Sequence, residues 1–322
     1  IPAGSAVVFN AGTTIYTSTA FDPNTAGRFV TAYQDAGQSN YGKAIVGQVS
    51  GNSISFGLEV SFNSGNTSFV AIAFDPDSAD KFVIMYSNGA GYNSGKAIVG
   101  TVSGTSMSFG TAVEFNGDET TEISISLNSE NKYILCYKDY GNSQRGTAIV
   151  GTVSGTSISF GSETTITTGT ATATSVTCDP NTANKFVVFC RDSGVSNYGI
   201  AKVGTVSGTS ISFGTSVTFI SFGSEVIFNV EQSHYVSMAF DPSTTGKFVV
   251  NYMDVANGYK GYTSLGTNSG SSISFVTSVP FTLTANTNYT STAFDPNTAG
   301  KYVVSYRNAT SGQGYYGVAV LG

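Results

Sequence analysis

The chain has 322 residues, and 11% of them are charged, less than half the ~25% of an ordinary domain. Its 20 acidic residues outnumber 14 basic ones for a formal charge of -6, which leaves no face with the Lys/Arg density that nucleic acid demands. The longest wholly apolar runs, such as Phe186 to Cys190, fall far short of the ~20 residues that cross a bilayer, so no membrane insertion is expected.

From the N-terminus, the chain opens at Ile1 without an initiator Met or an apolar leader, as expected of a processed product or a fragment. Gly4 to Asn10 reads as a strand on its own. A unit of four short strands follows, about Tyr16 to Phe21, Phe29 to Gln34, Lys43 to Val49 and Ile54 to Phe62. The runs are rich in Val, Ile, Phe, Tyr and Thr and are parted by turn residues, the pattern of consecutive antiparallel strands. The first turn, Asp22-Pro23-Asn24-Thr25-Ala26-Gly27, presets one φ with Pro and supplies a positive φ with Gly. The third, Ser50-Gly51-Asn52, is also hairpin chemistry.

The aromatic that opens the second strand recurs at Phe29, Phe82, Tyr133, Phe186, Phe248 and Tyr302, so six copies of the unit are present. The third lacks the Asp-Pro turn and uses Asn128-Ser129-Glu130-Asn131 instead. The fourth is lengthened by a near-duplicate, Phe213 to Val217 followed by Phe222 to Val226, expected to form a longer outer hairpin or loop. Second strands such as Phe186-Val187-Val188-Phe189 are apolar on both sides, as for a sheet packed between two others. First strands carry small residues such as Ser18, Ala20 and Ala73, which suits strands converging on an axis.

The sixth copy ends at Gly317 to Gly322, which aligns with Gly42 to Gly47 and so lacks a fourth strand, while Gly4 to Asn10 aligns with the fourth strand Gly57 to Asn63. The sequence therefore predicts an all-β chain: one domain over 1–322, a six-bladed β-propeller of four-stranded antiparallel blades, closed by residues 1–10 completing blade six.

Little in the chain points to catalysis. The single histidine, His234, has no nucleophile and orienting carboxylate to name beside it. Asp22, Asp75, Asp179, Asp241 and Asp295 each precede Pro and read as turn formers. Cys136, Cys178 and Cys190 have no metal-ligand spacing and read as buried structural thiols. A disulfide between Cys178 and Cys190 is disfavoured, because the turn at Asn181 to Asn184 sets Cys178 opposite about residue 187. No catalytic residue, cofactor or metal is expected.

The binding candidates lie in the connection between second and third strands, where Asp35, Asp139 and Asp192 stand beside Tyr41, Tyr198 and Tyr316. Two readings stay open for it. One is an Asx-type turn with a packed tyrosine. The other is a sugar site with Tyr as the plate and Asp or Asn as hydroxyl acceptors, weakened by the absence of Trp. One carboxylate per loop does not make a calcium site. Asn66, Asn288 and Asn308 fall in Asn-x-Ser/Thr triplets.

The runs Phe294 to Lys301, Asp192 to Gly199 and Val203 to Gly214 carry a repeat wording that resembles tandem repeats in proteins of marine bacteriophages and marine microbes. The resemblance implies an extracellular or virion-associated, non-catalytic structural or attachment protein, such as a tail-fibre or capsid-surface component. Its partners would be other virion or cell-surface proteins, surface glycans and further copies of the chain. A secreted carbohydrate-binding lectin is the alternative, and a glycoside-processing enzyme stands third.

Overall fold

A computed structural model of the chain describes residues 6–78, 80–89, 93–128, 130–178, 184–196, 198–214, 217–218, 233–244, 247–269, 272–276, 278–282, 286–309 and 315–322. The fold is all-β, and every strand pairing is antiparallel among the described residues. Two compact units form: residues 1–64, 102–107 and 222–322 in the first, residues 65–101 and 108–221 in the second.

In the first unit, repeat one runs Thr14–Phe21, Arg28–Asp35 and Tyr41–Ser50, with both Ser53–Phe56 and Val60–Asn63 against the third strand. The fourth strand expected over Ile54 to Phe62 is thus two short pieces. The chain turns between them at Gly57, whose N–H still donates to the Val46 carbonyl (2.9 Å). Repeat six has the sheet order Val7–Asn10, Tyr316–Leu321, Tyr302–Asn308, Thr287–Phe294. The N-terminal strand pairs Val7 with Ala319 and Asn10 with Gly317, the register in which Val60 meets Ala44 and Asn63 meets Gly42 in repeat one. Residues near the two ends of the chain therefore share one sheet.

In the second unit the repeats run together. Val113–Leu127 pairs with repeat two through its first half and with repeat three through its second. Thr164–Cys178 joins repeats three and four in the same way.

The same side chains fill the core of repeats one, two, four and five. Phe29, Phe82, Phe186 and Phe248 lie across from Gly47, Gly100, Gly204 and Gly266 on the third strand. A Cβ on any of these four glycines would stand 2.1 Å from the ring, so the ring lies flat on bare backbone. In these four repeats the last Phe of the Ser-x-Ser-Phe strand then closes on the ring edge-on: Phe56, Phe109, Phe213 and Phe275 sit 5.6–5.9 Å away. The Asp-Pro turns form as expected, Asp22, Asp75 and Asp295 each accepting from the backbone N–H two residues on. Asn128 does the same in repeat three. Asp22 also receives the buried Arg28 guanidinium. Asp179 and the duplicated piece, Phe222 to Val226, lie outside the described residues.

One expectation is corrected. Phe186 and Val188 are buried against repeat three, but Phe189 is 37% exposed, because strand alternation sends its side chain to the face opposite that cluster. The three cysteines are free thiols, with Cys136 and Cys190 buried and Cys178 half-buried.

Candidate functional site

The connections after the second strands are built around their carboxylates. Asp35 and Asp192 each cap one 3-10 turn, Ala36–Gln38 and Ser193–Val195, by accepting from Gly37 and Gly194 N–H (2.9 and 2.8 Å). Asp139 accepts from Gly141 N–H and from the Asn116 amide. All three are buried. Burial pushes the Asp192 carboxyl up, but donors from Thr168, Gly169 and Gly194 outweigh it and hold its pKa below the ordinary value. These carboxylates are taken up by their own backbone. Tyr41 and Tyr316 are half-buried and sit across from Asp35 and Asn308, each in its own repeat. Tyr198 pairs with Asp192 through its backbone, and its side chain lies outside the described residues.

A second feature stands beside these loops. In every repeat the first strand slips by one residue against the second, between Ile15 and Ser18 in repeat one and at the matching place in the others. A β-bulge of this kind re-aims the extra side chain. The bulged residue takes the left-handed conformation without being glycine: Tyr16, Phe69, Glu122, Tyr235 and Tyr289 have φ between 50 and 53°. Such a backbone costs about 1–3 kcal/mol and persists where the surroundings fix it. The fixing contacts are repeated as well. The Thr17 hydroxyl donates to the Tyr289 carbonyl, Thr290 to that of Tyr235, and Thr174 to that of Glu122. Two residues on, Thr19 N–H donates to Ser291 Oγ and Val176 N–H to Ser124 Oγ. The small hydroxyl residues of the first strands let neighbouring strands come this close.

In the first unit the bulges gather an aromatic array. The Tyr289 ring lies 5.0 Å from Tyr235 and 5.7 Å from Tyr16, each pair tilted. Arg307, from the second strand of repeat six, places its guanidinium 4.8 Å from the Tyr289 ring and 5.2 Å from the Tyr315 ring. The Asn288 amide, turned so that both its ends are satisfied, accepts from Arg307 Nη2 at 2.6 Å and donates to the Thr287 carbonyl. Tyr235 and Tyr315 are 39% and 48% exposed, and Tyr16 and Tyr289 are half-buried. The arrangement can hold a flat, partly apolar molecule against ring faces and offer it hydrogen-bond donors. The signal for it was in the sequence: an aromatic at one fixed repeat position, at Tyr16, Phe69, Tyr235 and Tyr289.

Other polar clusters are structural. Tyr33 donates to Glu59 (2.7 Å), which also takes Lys43 (3.1 Å), and Tyr137 donates to Glu163 (2.7 Å). Both tyrosines are buried, and burial pushes their pKa up. A cavity of about 320 Å³ opens at the other end of repeats five and six over Phe248, Leu265, Phe294 and Tyr302. Its charged groups are engaged, Asp241 by Ser243 and Lys247 by Thr267. No group of three or more His, Cys, Asp or Glu able to hold a metal occurs among the described residues.

Neither a protein-family model nor a curated protein sequence matches the chain. Solved structures do share its fold. A protein of unknown function from Dyadobacter fermentans is 12% identical, with a TM-score of 0.61 over 98% of this chain and 97% of that one. The GH93 α-L-arabinofuranosidase of Fusarium graminearum, in complex with arabinobiose, is 11% identical, with a TM-score of 0.57 over 100% of this chain and 98% of that one. A Hadza microbial sialidase is 9% identical, with a TM-score of 0.59 over 97% of this chain and 68% of that one. At these identities the likeness is one of fold alone, and the arabinofuranosidase and the sialidase are β-propellers. It overturns the expectation of a non-catalytic structural or attachment protein, since the fold is shared with proteins that process carbohydrate.

Proposed function

We propose that the chain is a six-bladed β-propeller that acts on carbohydrate and holds a saccharide against the rings of Tyr16, Tyr235 and Tyr289. Six sequence repeats support the blade number, and the pairing of Val7–Asn10 with Tyr316–Leu321 supports closure through the N-terminal strand. The observation that carries the function is the aromatic array: three tilted rings 5.0–5.7 Å apart, delivered by strained bulges in one compact unit. The bulge recurs in both units, so what distinguishes this one is the side chain it delivers, three tyrosine rings in contact. Aromatic rings suit the C–H faces of sugars, and their hydroxyls suit the polar rim. The likeness in fold to an arabinofuranosidase and a sialidase points to the same substrate class.

The test is calorimetric titration with a panel of oligosaccharides, run beside an assay for newly released reducing ends. Binding by the intact chain, weakened about tenfold or more in Tyr289→Ala at an unchanged melting temperature, is the expected result. Released reducing ends would make the array the substrate platform of a hydrolase. A chain that retains no oligosaccharide, or a Tyr289→Ala variant that binds as well as the parent, would overturn the reading.

A further inference from the structure

We infer that the saccharide held by the tyrosine array carries a negative charge, and that Arg307 is the residue that selects it. This rests on the carbohydrate reading above and narrows it to an anionic sugar.

Arg307 is an arginine whose charge the fold does not answer. Its Nη2 meets a neutral amide, that of Asn288, and its flat faces meet the neutral rings of Tyr289 and Tyr315. Its Nε is buried and has no hydrogen-bond partner, and no carboxylate pairs with it among the described residues. Arg28 in repeat one shows what this chain does with a structural arginine: two of its nitrogens meet the buried carboxylate of Asp22. A buried guanidinium N–H left unmade is costly, and an unpaired charge in low dielectric more so. Stacking on aromatic faces recovers part of that cost and fixes the plane of the fork. The planar fork matches the two oxygens of a carboxylate or a sulfate ester. Arg307 is held against Tyr289, the middle ring of the array, so an anionic group on a sugar stacked there lies within reach of the guanidinium. Asn288 and the two tyrosines are neutral, so the surrounding side chains that fix Arg307 leave its charge for the ligand.

The probes are trigalacturonate, its neutral methyl ester and a sulfated galactan trisaccharide, each titrated into the intact chain, Arg307→Gln, Arg307→Lys and Tyr289→Ala. Trigalacturonate or the sulfated probe should bind the parent at least tenfold more tightly than the methyl ester. Which of the two binds identifies the anion as carboxylate or sulfate. Arg307→Gln should remove that preference, Arg307→Lys should keep a part of it, and Tyr289→Ala should weaken every probe. Raising NaCl from about 0.1 M to 1 M should shrink the preference in the parent and leave the glutamine variant unmoved. Equal binding of acid, sulfated and methyl-ester probes overturns the charge assignment and leaves the carbohydrate reading standing. So does a glutamine variant that loses all probes in proportion, for then the arginine only braces the tyrosines. Retention of none of the three probes overturns both.

Discussion

The first strands of the two units carry one backbone device with different chemistry on it. In the first unit the bulged residues are Tyr16, Tyr235 and Tyr289, and their rings touch. In the second they include Phe69 and Glu122 at the same φ, and Lys138 lies over a different ring, Tyr140, 4.9 Å from its centre. The links between repeats differ as well. Val113–Leu127 and Thr164–Cys178 run unbroken from one sheet to the next, whereas Val7–Asn10 and Thr14–Phe21 are separate strands. The local contact at this place is nonetheless shared: Gly12 N–H donates to the Asn10 side chain (2.9 Å) and Asp118 N–H to that of Asn116 (3.1 Å). The backbone is thus the shared scaffold, and the side chain at one position decides what each bulge presents, touching tyrosine rings in the first unit and a phenylalanine and a carboxylate in the second.

The comparison can be broken most severely by removing residues 1–10. The first unit would lose the buried Phe9, about 1.5–3 kcal/mol, together with the hydrogen bonds of Val7–Asn10. Hydrogen exchange should then show Tyr316–Leu321 losing protection while Arg145–Ser154 in the second unit keeps it. Equal protection before and after truncation would mean that the N-terminal strand adds nothing to the sheet of repeat six.

Core glycines should behave alike in both units. Gly204→Ala and Gly266→Ala each press a methyl into a ring 2.1 Å away and should cost about 1–3 kcal/mol apiece in denaturant melts. A large effect in one and none in the other would show that the two cores are not equivalent.

Titration reaches both units, and it does so at opposite ends of the pH scale. Burial pushes Tyr86 up to about 12, and Tyr33 and Tyr306, in the first unit, are pushed up too. A pKa raised by folding stabilises the protein in full below the unfolded value, about 10 for tyrosine, and that contribution is lost as pH rises through the folded one. Stability should therefore fall in alkali above pH ~10, which urea melts across that range would read. Asp192, in the second unit, has the opposite sign: its lowered pKa stabilises above the unfolded carboxylate value and the gain is lost in acid below it. Asp192→Asn should flatten the acid limb and leave the alkaline limb unchanged.

The smallest effect is a matched pair. Ser39 and Ser196 hold the left-handed position after equivalent 3-10 turns, one in each unit, at φ 56 and 60°. Glycine at either should raise stability by up to about 1 kcal/mol. A thermal midpoint that falls in both would mean that the serine side chains matter more than their backbone.

The strands were legible because hydrophobic alternation and turn chemistry agree within each repeat: Phe29 with Gly47, Asp22 with Pro23. The pairing of the N-terminal strand followed from aligning Gly4 to Asn10 with Gly57 to Asn63. The bulges were not legible, because alternation read along Tyr16 to Phe21 assumes an unbroken pleat, and one extra residue moves a side chain to another face. Asp35, Asp139 and Asp192 drew attention as polar loop residues, yet short-range donors turn them inward. Arg307 gave no sign of its role, since the rings it touches lie about twenty residues before it and in the next connection.

The pairing of Val7 with Ala319 also has a kinetic consequence. The hairpins of each repeat join residues a few to some twenty positions apart, while these partners are more than three hundred apart in the chain. Closing so long a loop costs about 2–4 kcal/mol more in chain entropy than closing one of those hairpins. Contacts this remote form only after the local ones have narrowed the search. The sheet of repeat six should therefore be completed last during folding, and the tyrosines and Arg307 that it supports should acquire their binding geometry only in that final step.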